Sequence, residues 1–278
     1  MPQPIFEAND LHYSYPSGPL ALRQVSFSVH AGESVAILGA NASGKTTLLY
    51  LLDGLYFPTR GRVAAFGKEL TEESVETPPF SRDFRRQVGF LFQNSDAQLF
   101  CDTVGEELAF APLQLRLPPD EVESRVADTL RWFSIEHLRS RPPQTLSAGE
   151  KKRVALASII TCGPTVLLAD EPSAGLDPRS QHWLTDFMNL LKRSGVTLII
   201  ASHDLSFVAE TADRALVLSE DHRLVADGPV RELLSDLDLL LSVNLIHAHA
   251  HLHDGAVHIH PHLHEVWHDH EHETEQAP

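Results

Sequence analysis

The chain has little cysteine. Its two residues, Cys101 and Cys162, lie far apart with no C-x-x-C spacing, which argues against a disulfide framework and fits a reducing compartment. It also lacks a basic balance. Lys and Arg number 22 against 38 Asp and Glu, a formal net charge of −16. A general nucleic-acid binder shows a basic face, so nucleic acid is not an expected partner, whereas a local phosphate-binding cluster stays open. No apolar run is long enough to span a bilayer, which takes about 20 residues; residues 196–201 and 237–246 are too short or too interrupted. The opening Met1-Pro-Gln-Pro-Ile-Phe-Glu has neither the basic region nor the apolar core of a signal peptide. If the protein serves a membrane process, the expectation is that it does so from the cytoplasmic surface.

What is abundant is histidine. There are 17, and eleven fall between His247 and His272. Otherwise 42% hydrophobic and 22% charged residues describe an ordinary globular chain, long enough for one large domain or two smaller ones.

Short apolar runs alternate with helical patterns, which implies an α/β fold on a largely parallel sheet. Residues 5–11 and 25–29 read as strands flanking a turn at Pro16-Ser17-Gly18-Pro19, and 34–38 as a short buried strand. A helix is expected over 45–52, and further strands over 62–66 and 88–92. The acidic, proline-containing stretch 71–81 reads as an exposed insertion loop. Three helical segments follow, 104–110, 120–132 and 148–160, separated by Pro118-Pro119 and Pro142-Pro143, as an inserted helical subdomain over about 94–160. Strand and helix alternation resumes at 165–169, 179–192, 196–201 and 205–211, and 215–219 with 224–227 reads as an edge pair. The domain is expected to span 1–235, with a histidine-rich tail over 236–278.

Gly39-x-x-x-x-Gly44-Lys45-Thr46 follows an apolar strand and opens a helix, the setting a phosphate loop requires. Backbone N–H groups from Gly39, Asn41, Ser43, Gly44 and Thr47 would curl around phosphates. Lys45 would reach the β and γ oxygens, and the Thr46 hydroxyl would ligate Mg²⁺. Asp170 and Glu171 end a buried strand, where carboxylates are costly unless used. Asp170 suits the Mg²⁺ shell and Glu171 suits a general base for an attacking water. Ser147 and Gly149, in Leu146-Ser-Ala-Gly-Glu150, open another helix and offer a hydroxyl, N–H groups and a positive dipole end, a second phosphate cradle. A chain with one cradle rarely needs two, so the second is expected to close over nucleotide held by another copy.

Taken in order, these motifs resemble the ATP-binding-cassette ATPases, whose signature reads Leu-Ser-Gly-Gly-Gln; Ala148 and Glu150 depart from it. The resemblance covers roughly residues 3–235 and implies a phosphate-loop nucleotide hydrolase with a mostly parallel sheet core, an N-terminal antiparallel portion and an inserted helical subdomain. It further implies ATP and Mg²⁺, and a dimer with a second copy or a paralogue. It casts His203 as the switch histidine at the γ-phosphate and Gln93 as a Mg²⁺ ligand that senses a membrane partner. Residues 173–177 match the loop crossing the dimer interface. An aromatic that stacks on adenine falls at Tyr15, with Tyr13 as the alternative.

Within that family, Gln93-Asn-Ser-Asp-Ala-Gln-Leu-Phe100 resembles the energy-coupling-factor importers, whose cobalt and nickel members carry Gln-Asn-Pro-Asp-Asp-Gln-Leu-Phe; Ser95 and Ala97 differ. The implied partners are integral membrane transporter components, including coupling and substrate-binding subunits. In the tail, histidine alternates on both sides of Asp254-Gly255, a hairpin signal. With that turn, His251 faces His258, His249 faces His260 and His247 faces His262, candidate ligands for Ni²⁺, Co²⁺ or Zn²⁺. An importer of another small nutrient, such as a vitamin, is the rival within the family. A nickel-insertion GTPase is the rival outside it, and would need an Asn-Lys-x-Asp motif that the sequence lacks.

Overall fold

A computed structural model describes residues 3–16, 18–253 and 256–263. The first layer is antiparallel: β1 (Phe6–Ser14), β2 (Leu20–Val29), β4 (Arg60–Ala65) and β5 (Lys68–Glu69), in the order β2-β1-β4-β5. Burial alternates along β1, as expected of a strand with only one face on a core. The second layer holds six strands. They are β3 (Ser34–Leu38), β6 (Val88–Leu91), β7 (Val166–Asp170), β8 (Thr197–Ala201), β9 (Arg214–Leu218) and β10 (Leu224–Pro229). Their order is β10-β9-β3-β8-β7-β6, parallel except where β10 joins β9 at the edge.

Every residue of β3, β7 and β8 is buried. Strands covered on both faces need apolar side chains throughout, which is why these read as continuous apolar runs. Alternate residues enter different cores. Val35 and Ile37 of β3 join β1, β2 and α1 (Lys45–Leu52), while Ala36 and Leu38 meet α9 (Leu205–Thr211) on the other side. Likewise Leu167 and Ala169 of β7 pack against the helical block of α4 (Ser95–Gln98), α5 (Val104–Gln114), α6 (Pro119–Trp132) and α7 (Ala148–Ile160). α8 (Pro178–Arg193) contributes Leu184, Phe187 and Met188 to the same core.

Three sequence expectations are corrected. Residues 71–81 are not an irregular loop: they hold α2 (Glu72–Glu76) and the start of α3 (Phe80–Gln87). Thr71 and Ser74 form a reciprocal capping box and Glu72 and Glu73 sit in the first turn, local devices that outweigh the prolines. α5 runs past residue 110, carrying Pro112 inside it. Third, packing does not stop at 235. α10 (Val230–Ser235) leads into α11 (Leu237–Ser242), and Leu240, Val243, Leu245 and Ile246 are buried with Ala36, Leu38 and Val217.

β11 (Ile246–His253) and β12 (Ala256–Leu263) follow as an antiparallel hairpin. The turn expected at Asp254-Gly255 and the chain after Leu263 lie outside the described residues. Among the described residues no helix is long and apolar enough to cross a membrane.

Candidate active site

The phosphate loop links β3 to α1 and forms the floor of a cavity of about 580 Å³. Gly44 is required by space as well as conformation. Its φ is +109°, and a Cβ there would lie 2.3 Å from the Ala21 carbonyl oxygen of β2. Asn41, Gly44, Lys45, Thr46 and Thr47 all line the cavity. Gly39 and Ser43 support the loop: Lys45 Nζ donates to the Gly39 carbonyl at 2.8 Å and the Ala40 carbonyl at 3.2 Å. The Ser43 hydroxyl is buried without a hydrogen-bond partner among the described residues.

Lys45 also lies 3.4 Å from Glu171 Oε1. Glu171 follows β7, and β7 is parallel to β8, so the residues after both strands emerge at the same sheet edge. That is how His203 meets Glu171, with Nδ1 2.9 Å from Oε2. Glu171 holds a φ of +42°, a strained backbone fixed by its N–H donating to the Ala201 carbonyl at 2.8 Å. Beside it, the Thr46 hydroxyl donates to Asp170 at 2.9 Å. Burial pushes the Asp170 carboxyl up, and the Thr46 hydrogen bond counters it. Gln93 reaches the same cavity from the end of β6.

Of the two tyrosines, Tyr13 is buried in the core and Tyr15 lines the cavity, its hydroxyl 2.8 Å from Thr47 Oγ1. Ser147 and Gly149 do not line the cavity. Ser147 caps α7, and its hydroxyl donates to Glu150 at 2.9 Å. The Ser147 backbone N–H, also on this carboxylate, holds Glu150 below its ordinary range. Gly149 is there because α8 comes close: a Cβ would sit 2.5 Å from Ser180 Oγ.

Sequence reasoning missed several groups. Pro19, Leu20, Ala21 and Ala42 complete the cavity wall, and so does His222 from the β9–β10 turn. Ala42 comes with the phosphate loop itself, whereas the others carry no local signal, since each is brought in by the pairing of distant segments. Lys152 stands in the basic run Lys151-Lys152-Arg153, which by itself marks no site. It is buried on α7 and donates to the Gln93 carbonyl at 3.0 Å, while Lys151 pairs with Asp96 at 2.6 Å. Burial brings the Lys152 ammonium down to about 8, opposed by Asp170. Two lysines of the helix opened by Ser147 thus anchor the segment that carries Gln93.

The groups present fit a magnesium nucleotide: a loop of N–H groups, one ammonium, and hard oxygen donors from Thr46 and Gln93 in one cavity, with the Asp170 carboxylate hydrogen-bonded directly behind Thr46. Fold and cavity together define a phosphate-loop nucleotide hydrolase. The ABC transporter family profile matches residues 22–174. The nickel import ATP-binding protein NikO of Rhodobacter capsulatus is 45% identical over 246 residues, covering 87% of this chain and 96% of that protein. The energy-coupling factor transporter ATP-binding protein EcfA of Methanocaldococcus jannaschii is 39% identical over 241 residues, 87% of this chain and 85% of that protein. The solved structure of cbiO1 from Clostridium perfringens, described as part of the ABC transporter complex cbiONQ, superposes with a TM-score of 0.73 at 34% identity, over 87% of this chain and 95% of that one. The chain belongs to the ABC transporter ATP-binding family, and is an ATP hydrolase of that class.

Proposed function

We propose that the chain is the ATPase subunit of an importer for a transition-metal ion, Ni²⁺ or Co²⁺, peripheral to the cytoplasmic face of the membrane. The observation that carries the cargo is the hairpin register. His247 pairs with His262, His249 with His260 and His251 with His258, so alternate rungs of one ladder pair histidine with histidine. Imidazole suits nickel, cobalt and zinc, and affinity order alone does not choose among them. The relative named for nickel import favours nickel, and the likeness of residues 93–100 to the segment of the cobalt and nickel importers keeps cobalt beside it.

Membrane subunits would dock beside residues 93–100. There Phe100 is 60% exposed, its ring 4.8 Å from that of half-exposed Phe110, with exposed Leu113 on the same helix. Glu107 holds that face in place by accepting from the Phe100 and Cys101 N–H groups at 2.9 Å.

In the ATPase cycle Tyr15 stacks on adenine, and Lys45 with the loop amides holds the phosphates. Thr46, Asp170 and Gln93 hold Mg²⁺, which supplies charge neutralisation on the phosphates. Glu171 accepts the proton of the attacking water, oriented by its contact with His203. Ser147 and Gly149 close the nucleotide of a second copy or a paralogue, in keeping with their position off this chain's own cavity.

The test is a chain ending at Ile246, compared with the full chain in Ni²⁺ and Co²⁺ calorimetry at pH 7.5 and 5.5. Both hydrolyse ATP. The full chain binds metal at pH 7.5 and loses it at 5.5, as the histidines protonate around ~6.5. Equal metal binding by the two chains removes the hairpin from the cargo argument.

A further inference from the structure

The cavity wall contains one imidazole that the ATPase chemistry above does not use. His222 sits in the turn between β9 and β10, far in sequence from every motif, yet it lines the nucleotide cavity. Two contacts fix it. Its backbone carbonyl accepts from the Arg23 N–H of β2 at 2.8 Å, and its ring Nδ1 lies 3.3 Å from the Ser43 carbonyl of the phosphate loop. His222 therefore occupies the seam where the Leu20–Ala21 wall meets the loop. A nucleotide with its phosphates in the loop and its base against Tyr15 presents its sugar to that seam.

The ring's chemistry narrows the contact. A carbonyl oxygen can only accept, so Nδ1 carries the hydrogen and donates to Ser43. In the neutral ring this leaves Nε2 as an acceptor, with no protein partner among the described residues. The ribose hydroxyls are the donors that ATP brings to this part of the cavity. We propose that His222 is a nucleotide-contacting residue, its Nε2 accepting a hydrogen bond from a ribose hydroxyl. The backbone agrees with a side chain kept for use: φ at His222 is +62°, a conformation glycine takes more readily.

That conformation supplies a clean test. His222→Gly keeps the turn and its backbone hydrogen bonds, from the Arg23 N–H at 2.8 Å and to the Ser219 carbonyl at 3.0 Å, while deleting the ring and its contact with Ser43. Thermal unfolding should be unchanged or later. The KM for ATP should rise about three- to tenfold, the loss of one hydrogen bond, with kcat within about twofold. Wild-type protein should favour ATP over 2′-deoxy-ATP or 3′-deoxy-ATP, and the variant should lose that preference. An unchanged KM in the folded variant overturns the proposal, and so does a deoxy preference that survives the substitution. Should His222→Gly unfold early, His222→Asn decides by the same two readouts, since asparagine also takes this backbone and is too short to reach the sugar. Wild-type turnover measured alongside keeps this outcome separate from any failure of the cargo reading.

Discussion

Replacing Leu240 with alanine separates two accounts of residues 236–246. If the chain after Ser235 is a tail, the substitution costs almost nothing. In the structure Leu240 is 3% exposed and packs with Val243, Leu245 and Ile246 against Ala36 and Leu38 of β3, the strand that leads into the phosphate loop. Removing three carbons from such a site loses transfer energy and leaves a void, about 2–4 kcal/mol for a buried leucine that cannot fully collapse. For a domain of this size that is a fall in Tm of roughly 5–12 °C. The control lies one turn away: Leu237 is 50% exposed, and its alanine variant should stay within about 0.5 kcal/mol of wild type. Urea and thermal unfolding of the two variants, followed by circular dichroism, give the comparison. Equal stability for Leu240→Ala and Leu237→Ala would refute the packing argument. A chain ending at Ser235 should then also unfold with wild-type behaviour, whereas the structure requires it to be unstable beside one ending at Ile246.

Glu171→Gln preserves the shape of a side chain 3.4 Å from Lys45 and 2.9 Å from His203 but cannot take a proton. ATP affinity should stay within a few fold while turnover falls about 10²- to 10⁴-fold, and wild-type turnover would remove Glu171 from the chemistry. Asp53 gives a pH dependence. Burial pushes its carboxyl up to about 6 although Arg85 is 2.9 Å away. The folded state therefore keeps a proton that the unfolded state releases near pH 4, so this group's contribution to stability falls as pH rises from about 4 to 6. Against Asp53→Asn, the wild type should lose up to about 3 kcal/mol over that window in urea titrations, and a pH-independent difference would show that the carboxyl is not so perturbed.

Sequence alone determined the elements whose causes are local. The buried strand 34–38, the helices 45–52, 148–160 and 205–211 and the phosphate loop were legible to the residue. Continuous apolar runs, capping residues and glycines at fixed offsets act within a few residues of where they are written. The same locality explains the failures at 71–81 and beyond 235. The capping box at Thr71 was overlooked beside the prolines, and the apolar positions 240–246 gave no sign of the surface that would cover them. Tertiary structure decided what depends on strand order. The pairing of β3, β8 and β7 sets Lys45, Glu171 and His203 at one sheet edge, and β1 holds Tyr13 in the core opposite Leu22 and ends at Ser14, leaving Tyr15 beyond the strand at the cavity. His222 enters that cavity only because the β9–β10 turn folds back onto β2 and the loop. Contacts across some 180 residues leave no periodicity in the chain, because they are specified by which sheet faces and edges meet, and that is a property of the whole core.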